Sequence, residues 1–413
     1  MQIDLRPVRR RVFWLAICFS AVALYVNSTV REYRAVRWSN STAASDILLA
    51  TRLEPGNAEH WYRLANSTFF LNPEKSEDAI ASYKKAAAIN PWSSRYSLDL
   101  ARAYLAANQW REQQAAVEHA LQVDPMTPAT LRAAADFYLL QGQQERAFDL
   151  LRRVVQYDPE HADEAIELCW RASHDADLMM SRALPRSAEY YARFLQFIIS
   201  QNDLDAAPVV WSRLLSLQQQ FPAATGIRYV SFLIANRRAA EAKRAWEQLA
   251  AVDSTLRPYL PGANLVVNGG FERELLNGGF DWWYEKLPSV SLSLDSSSFR
   301  GGARSLLIQF DGAVSDAGIR EYVVLKPNTA YEFSAACRAE LNGAHGATFE
   351  LSDTNRKIAL ASTDEMIGDS PWRMVRTSFK TGPDTHLVVV RVAHGDGLVR
   401  GKLWVDDISL VEK

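Results

Sequence analysis

The sequence predicts a multidomain protein in which an all-α repeat solenoid is followed by an all-β sandwich, with one apolar N-terminal helix ahead of both. Three observations carry this. An acidic or amide residue followed by proline recurs at Glu54-Pro55, Asn90-Pro91, Asp124-Pro125 and Asp158-Pro159, at spacings of 36, 34 and 34 residues. Glycine is costly inside helices and useful in β-turns, and of 19 glycines only Gly56, Gly142 and Gly226 precede residue 262. An uncharged run from Val12 to Val26 directly follows Arg6, Arg9, Arg10 and Arg11.

The apolar run defines the first element. Extended to Val30 it is 19 residues long, which at about 1.5 Å per residue nearly spans a bilayer core of about 30 Å. Residues 1–11 then read as a cytoplasmic tail and residues 12–30 as a single transmembrane anchor. The rival reading is a cleaved signal peptide, for which Ala21-Val22-Ala23 would suit the peptidase. Both readings send everything after residue 30 out of the cytoplasm, and the leading arginines favour an inside N-terminus. The expected location is a bacterial inner membrane, single-pass, with the C-terminal part periplasmic; the alternative is secretion after cleavage. Cys18, Cys169 and Cys337 are too far apart in sequence for a disulfide framework or a multi-cysteine zinc site.

The second element is the repeat. Trp61, Leu64, Ala65, Ala79, Tyr83 and Ala86 lead to Pro91, with two extra residues in the turn around Asn72-Pro73. Leu100, Ala101, Tyr104, Ala120 and Leu121 lead to Pro125, and Ala135, Tyr138, Gly142, Ala147 and Leu151 to Pro159. Small residues let two antiparallel helices approach closely, larger ones fill the gap to the next pair, and proline stops the second helix. These residues resemble the tetratricopeptide repeat, over a solenoid assigned to residues 39–257. Degenerate pairs follow at Tyr191, Phe194, Leu195, Ile198, Ala207, Trp211 and Leu214, and at Tyr229, Val230, Leu233, Ala242, Trp246 and Leu249. The opening unit has only a second helix, at Ala43, Ile47, Ala50 and Pro55. A helix running out of the membrane through Tyr33 and Trp38 would supply the first.

The resemblance implies a protein partner held by the solenoid and no chemistry. The Trp and Tyr residues of the repeat are expected in its core. His60, His119, His161 and His174 sit singly and are expected to be solvated or hydrogen-bonded rather than ligands.

The third element begins after Arg257-Pro258-Tyr259-Leu260-Pro261-Gly262, a short connection stiffened by two prolines. Eight apolar runs separated by turn signals predict strands at Ser289–Leu294, Ser305–Phe310, Ile319–Leu325, Ala330–Glu340, Ala347–Ser352, Arg373–Phe379, His386–Ala393 and Gly401–Leu410, hence a sandwich over residues 263–413. The segments Asn264-Leu265-Val266-Val267-Asn268-Gly269-Gly270-Phe271-Glu272, Trp282-Trp283, Arg300-Gly301-Gly302-Ala303-Arg304-Ser305-Leu306, Leu325-Lys326-Pro327-Asn328-Thr329-Ala330-Tyr331, Trp372 and Leu403-Trp404-Val405-Asp406-Asp407-Ile408-Ser409-Leu410 resemble carbohydrate-binding modules of the galactose-binding-like jelly-roll type.

That resemblance implies a carbohydrate ligand and a structural calcium where the first and last strands meet. The matching acids are Glu272 and the pair Asp406-Asp407. If Trp404, Ile408 and Leu410 share the inward face, Asp406 shares it too, and an inward carboxylate needs a cation or hydrogen-bond donors. The alternative to calcium is an Asp that caps a turn and a Glu paired with an Arg. Sugars stack on aromatic faces, and Trp282, Trp283 and Tyr284 are the candidates, since three adjacent aromatics cannot all point into one core. Trp372 and Trp404 are expected in the core.

Composition sets limits on function. A net charge of −2 excludes the basic excess of a dedicated nucleic-acid binder. No catalytic pair or triad stands out, so no enzymatic activity is expected. The expected function is a membrane-anchored scaffold whose solenoid binds a protein and whose jelly roll binds glycan, in exopolysaccharide or envelope glycan assembly or export. Two alternatives stay open: a purely protein-binding scaffold with the jelly roll as a structural cap, and a non-catalytic accessory subunit of an envelope enzyme.

Overall fold

The computed structural model describes residues 8–71, 76–313, 315–395 and 397–413. The widened turn expected at Asn72-Pro73 lies outside them. The chain divides into two compact units, Met1–Pro185 and Arg186–Lys413.

In the first unit, α1 (Val8–Ser39) is one unbroken helix, followed by α2 (Ala44–Leu53), α3 (Ala58–Leu71), α4 (Ser76–Ile89), α5 (Ser94–Ala106), α6 (Trp110–Val123), α7 (Pro128–Leu140), α8 (Gln144–Tyr157), α9 (Ala162–Ser173) and the single turn α10 (Ala176–Leu178). Among the described residues α1 is the one helix long and apolar enough to cross a membrane. Its last turns pack on α2 and supply the helix missing from the opening repeat. The contact uses buried Ala35 and Ser39 and half-buried Trp38, whereas Tyr33 points to solvent. Arg63 of α3 donates to the Ser39 carbonyl and to Asn40, which ties the end of α1 to the next repeat.

Each helix pair closes on alanines that have no exposure: Ala65, Ala79, Ala86, Ala101, Ala120, Ala135 and Ala147. The repeated acid before proline has a definite task. Asp124 accepts from the hydroxyls of Thr130 (2.7 Å) and Ser94 (3.1 Å) and from the Thr127 N–H (3.2 Å), so one carboxylate ends α6, starts α7 and reaches back to α5. Burial works against its ionisation, but these hydrogen bonds hold its carboxyl below the usual range. Glu54 serves likewise for Asn57 and His60, and Asp158 for His161. His60 is therefore a buried, hydrogen-bonded core histidine, as expected. Trp61 departs from expectation: it is half-buried, with Lys85 over its ring and its Nε1 donating to the Pro55 carbonyl.

The second unit starts with two more helix pairs, α11 (Ala188–Ser200) with α12 (Ala206–Ser216) and α13 (Ala223–Ala235) with α14 (Ala239–Val252). A 3-10 turn, Ser254–Tyr259, then leads into ten strands: β1 (Trp283–Tyr284), β2 (Val290–Asp295), β3 (Ser305–Ala313), β4 (Asp316–Val324), β5 (Ala330–Gly343), β6 (Ala347–Asp353), β7 (Ile358–Ser362), β8 (Gly368–Lys380), β9 (Leu387–His394) and β10 (Leu398–Glu412). They form two five-stranded antiparallel sheets, β1-β4-β9-β6-β7 and β2-β3-β10-β5-β8, packed as a jelly roll. All eight expected strands are present. The two not anticipated are β1, only two residues long, and β7, an edge strand whose side chains show no alternation of burial.

Between the sheets lies one core that includes Phe271, Trp282, Phe310, Phe333, Phe349 and Leu403. The helices of this unit are fixed to the jelly roll by the segment before β1. The Gly279 N–H donates to Ser231 Oγ of α13 at 2.9 Å, Phe280 meets Trp246 of α14 edge-on at 6.3 Å, and Trp246 Nε1 donates to the Tyr259 carbonyl at 2.9 Å. The Tyr259 hydroxyl donates in turn to the Glu274 carbonyl at 2.8 Å. Gly279 has φ +63°, and a Cβ there would run into the Trp246 ring, so glycine is required on both counts.

Candidate functional site

The three adjacent aromatics separate. Trp282 has no exposure and stacks at a tilt on Phe271 inside the sandwich, ring centroids 5.4 Å apart. This overturns its assignment as a sugar-stacking residue, because neither face of its ring reaches solvent. Trp283 is half-buried: its Nε1 donates to the Gly279 carbonyl at 2.8 Å and its ring meets Tyr322 of β4 at 69°. Tyr284 is exposed and borders a shallow depression of about 220 Å³ with Glu274, Leu275 and residues of β2. Trp372 is also half-exposed rather than core.

The acids of the first and last motifs meet at the loop before β3. Asp406 is fully buried; its Oδ2 accepts from the Arg300 N–H (2.8 Å) and Gly301 N–H (3.0 Å), and its Oδ1 from the Asp407 N–H (2.8 Å). Burial pushes its carboxyl up, and the three N–H groups oppose that rise. Glu272 Oε1 accepts from the N–H groups of Ala303 (2.9 Å) and Arg304 (3.4 Å). The parity argument for Asp406 needs correction. Trp404 is buried, as expected, but on the outer face with Asp406, opposite core residues Leu403 and Val405, covered by Arg338 at 4.7 Å with its Nε1 bonded to Asp295. A bulge between Asp406 and Ser409, with Asp407 at φ 48°, then turns Ile408 and Leu410 inward. Backbone N–H groups thus serve both oxygens of Asp406 and one oxygen of Glu272, which is the donor arrangement of a turn-capping Asp and leaves Asp406 without a free oxygen for a cation. Among the described residues no three acidic, histidine or cysteine side chains gather as a metal site.

A site that sequence reasoning missed lies on the outer face of the first sheet. Alternation in β4, β9 and β6 sends Ile319, Val323, Val388, Val390, Phe349 and Leu351 inward. The intervening Arg320, Tyr322, Val389, Arg391, Glu350 and Ser352 therefore point outward. With Asp353 at the end of β6, Thr354 and Lys357 of the β6–β7 turn, and Ile234, Ala235 and Arg237 at the α13–α14 turn, they line a cleft of about 390 Å³. Arg391 crosses its floor, bonded to Asp316 (3.0 Å) and Glu350 (3.1 Å). Although burial works against it, Glu350 is held below its ordinary range by the Ser352 hydroxyl and Arg391. Such a floor of planar charged groups and hydroxyls, beside a phenol ring, has the donor and acceptor density that a polyhydroxylated ligand needs. Trp283 buttresses Tyr322 from one side, so one of the three predicted aromatics contributes indirectly.

Comparison with known proteins finds similarity in both the helical and the β-rich parts of the chain. Residues 263–397 match the carbohydrate binding domain family. Among solved structures, a CBM4 domain is 12% identical, covering 36% of this chain and 99% of its own, with a TM-score of 0.29. The CBM22-1 xylan-binding domain of Paenibacillus barcinonensis Xyn10C is 13% identical, covering 35% and 91%, with a TM-score of 0.26. On the helical side, a tetratricopeptide repeat protein from Parabacteroides merdae is 13% identical, covering 51% and 86%, with a TM-score of 0.29. No curated protein matches the chain. The fold defines a protein in which helical repeats are joined to a two-sheet jelly roll. In particular, the repeats are antiparallel helix pairs similar to the tetratricopeptide repeat, and the jelly roll contains the segment that matches the carbohydrate binding domain family.

Proposed function

We propose that this chain is a membrane-anchored, extracytoplasmic scaffold that holds a protein partner on its solenoid and glycan in the cleft of its jelly roll, in exopolysaccharide or envelope glycan assembly or export. The cleft on the first sheet supports the glycan part, because it is a polar, concave site on a domain that matches a carbohydrate-binding family. Glycan-array binding by the full chain in detergent micelles tests it; binding to no envelope polysaccharide sinks it.

The anchor is α1, and its packing on α2 would hold the first repeat next to the bilayer. Retention in carbonate-washed membranes and an intact N-terminal peptide are the expected results. A mature chain beginning at Leu24 would replace the anchor by a cleaved leader.

A capping role for the jelly roll is supported by a separate observation, the seating of Gly279 and Phe280 on α13 and α14. Terminal repeats need a cover for their open face, and this segment provides one while leaving the cleft open. The two roles are compatible. Structural calcium is not part of the reading: since N–H groups serve Glu272 and Asp406, excess EDTA is expected to leave the melting temperature unchanged, and a drop reversed by calcium would restore the metal.

A further inference from the structure

We propose that the cleft on the outer face of the first sheet selects an anionic saccharide, with Arg237 of the last helix pair supplying part of the selectivity. This rests on the glycan-binding reading above. The lining holds four cations, Arg237, Arg320, Lys357 and Arg391, against two acids, Glu350 and Asp353. Which of these charges are already committed decides what the cleft can accept.

Both acids are committed. Glu350 takes Arg391 and the Ser352 hydroxyl, at 2.5 Å for the latter. Asp353 is buried and accepts from the Asn355 N–H (2.7 Å), the Arg356 N–H (3.1 Å) and the Thr385 hydroxyl (2.5 Å). Two cations are committed as well: Arg391 to Asp316 and Glu350, and Arg320 to Glu285 at 2.6 Å. Arg237 and Lys357 are different, since among the described residues neither has a carboxylate within 4.0 Å. Both are exposed and sit on tight turns with left-handed backbone, φ 61° and 54°. Arg237 comes from the turn between α13 and α14, and Lys357 from the turn between β6 and β7, so the uncommitted charge reaches the cleft from both its helical and its sheet wall.

A carboxylate, sulfate or phosphate on a sugar ring would gain charge-assisted hydrogen bonds there that a neutral sugar cannot make. The effect is local: a chain with net charge −2 has no general attraction for polyanions. Arg237 lies outside residues 263–397, the part that matches the carbohydrate-binding family, so this selectivity belongs to the joined unit and not to the jelly roll alone.

Calorimetric titration of the full chain in detergent micelles, at about 0.1 M salt, tests this with three probes: oligogalacturonate, a sulfated dextran oligosaccharide and neutral cellohexaose. One of the two anionic probes is expected to bind at least about tenfold more tightly than cellohexaose, and which one identifies the anionic group. Arg237→Glu and Lys357→Glu are each expected to weaken that binding about tenfold, with Arg237→Gln intermediate and thermal unfolding unchanged. Arg400→Glu, on the other sheet, is expected to have no effect on binding. Equal affinity for cellohexaose, or indifference to Arg237→Glu and Lys357→Glu, overturns the anionic preference and leaves the glycan reading standing. Binding of none of the three, together with an empty glycan array, removes both.

Discussion

Replacing Trp246 with alanine is expected to lower the stability of the Arg186–Lys413 unit by about 3–5 kcal/mol, the range for removing a large buried aromatic. Trp246 is 1% exposed. Its ring receives the edge of Phe280 and the bare backbone of Gly279, while its indole N–H satisfies the Tyr259 carbonyl. Truncation would open a cavity between α14 and the segment before β1 and leave a buried carbonyl without its donor. Trp246→Phe separates the two effects, since it keeps most of the ring and loses only the N–H. Denaturant unfolding followed by circular dichroism measures both variants. A loss below about 1 kcal/mol for Trp246→Ala would mean that the helices and the sandwich do not stabilise each other through this contact. Gly279→Ala is expected to act in the same direction, because its φ of +63° and the nearby ring both oppose a side chain.

That contact also shows what could be read in advance. The 34-residue recurrence is strong because the first repeats use the same alanines and an acidic or amide residue before proline, and those side chains are buried or bonded as the pattern requires. The jelly roll was legible through its turn motifs and alternating strands. Three features were not. The bulge at Asp406 to Ser409 changes strand parity without a sequence signature, so Trp404 fell on the wrong face. The segment Trp282-Trp283-Tyr284 promised at least one exposed ring but gave no means of choosing which. The cleft joins residues of β4, β6 and β9 with a turn between two helices, and no local pattern spans that distance. Its one available signal was the outward parity of Arg320 and Tyr322, Glu350 and Ser352, and Val389 and Arg391, which marks the sheet face but not the helices that flank it.

Raising the pH from about 4 to above 6 is expected to destabilise the Arg186–Lys413 unit by about 3 kcal/mol. The cause is a pair of acids that the fold buries. Asp281 has no exposure, and burial pushes its carboxyl up to about 6, opposed by hydrogen bonds that include the Leu276 N–H at 2.5 Å. Glu321, on the inward face of β4, accepts from the Val267 N–H at 2.7 Å and is raised well above its ordinary value, first by burial and then by the charge of Asp281. A folded-state pKa above the unfolded one means that the folded state holds the proton more tightly. The stabilisation is complete below the unfolded value near 3.8 and is lost as pH rises through the folded value. Groups shifted the other way act elsewhere on the scale: Asp295, bonded by Ser297 and Trp404, and Glu350, held by Ser352 and Arg391 against the effect of burial, lose their contribution only as pH falls below the ordinary carboxylate range. Asp281→Asn keeps an acceptor for the Leu276 N–H and removes the charge. It is expected to match the parent near pH 4, to exceed it at pH 8, and to flatten the profile between. Urea unfolding across that range decides the matter, and a parent chain that gains stability from pH 4 to 6.5 would show that Asp281 and Glu321 ionise without cost where they lie.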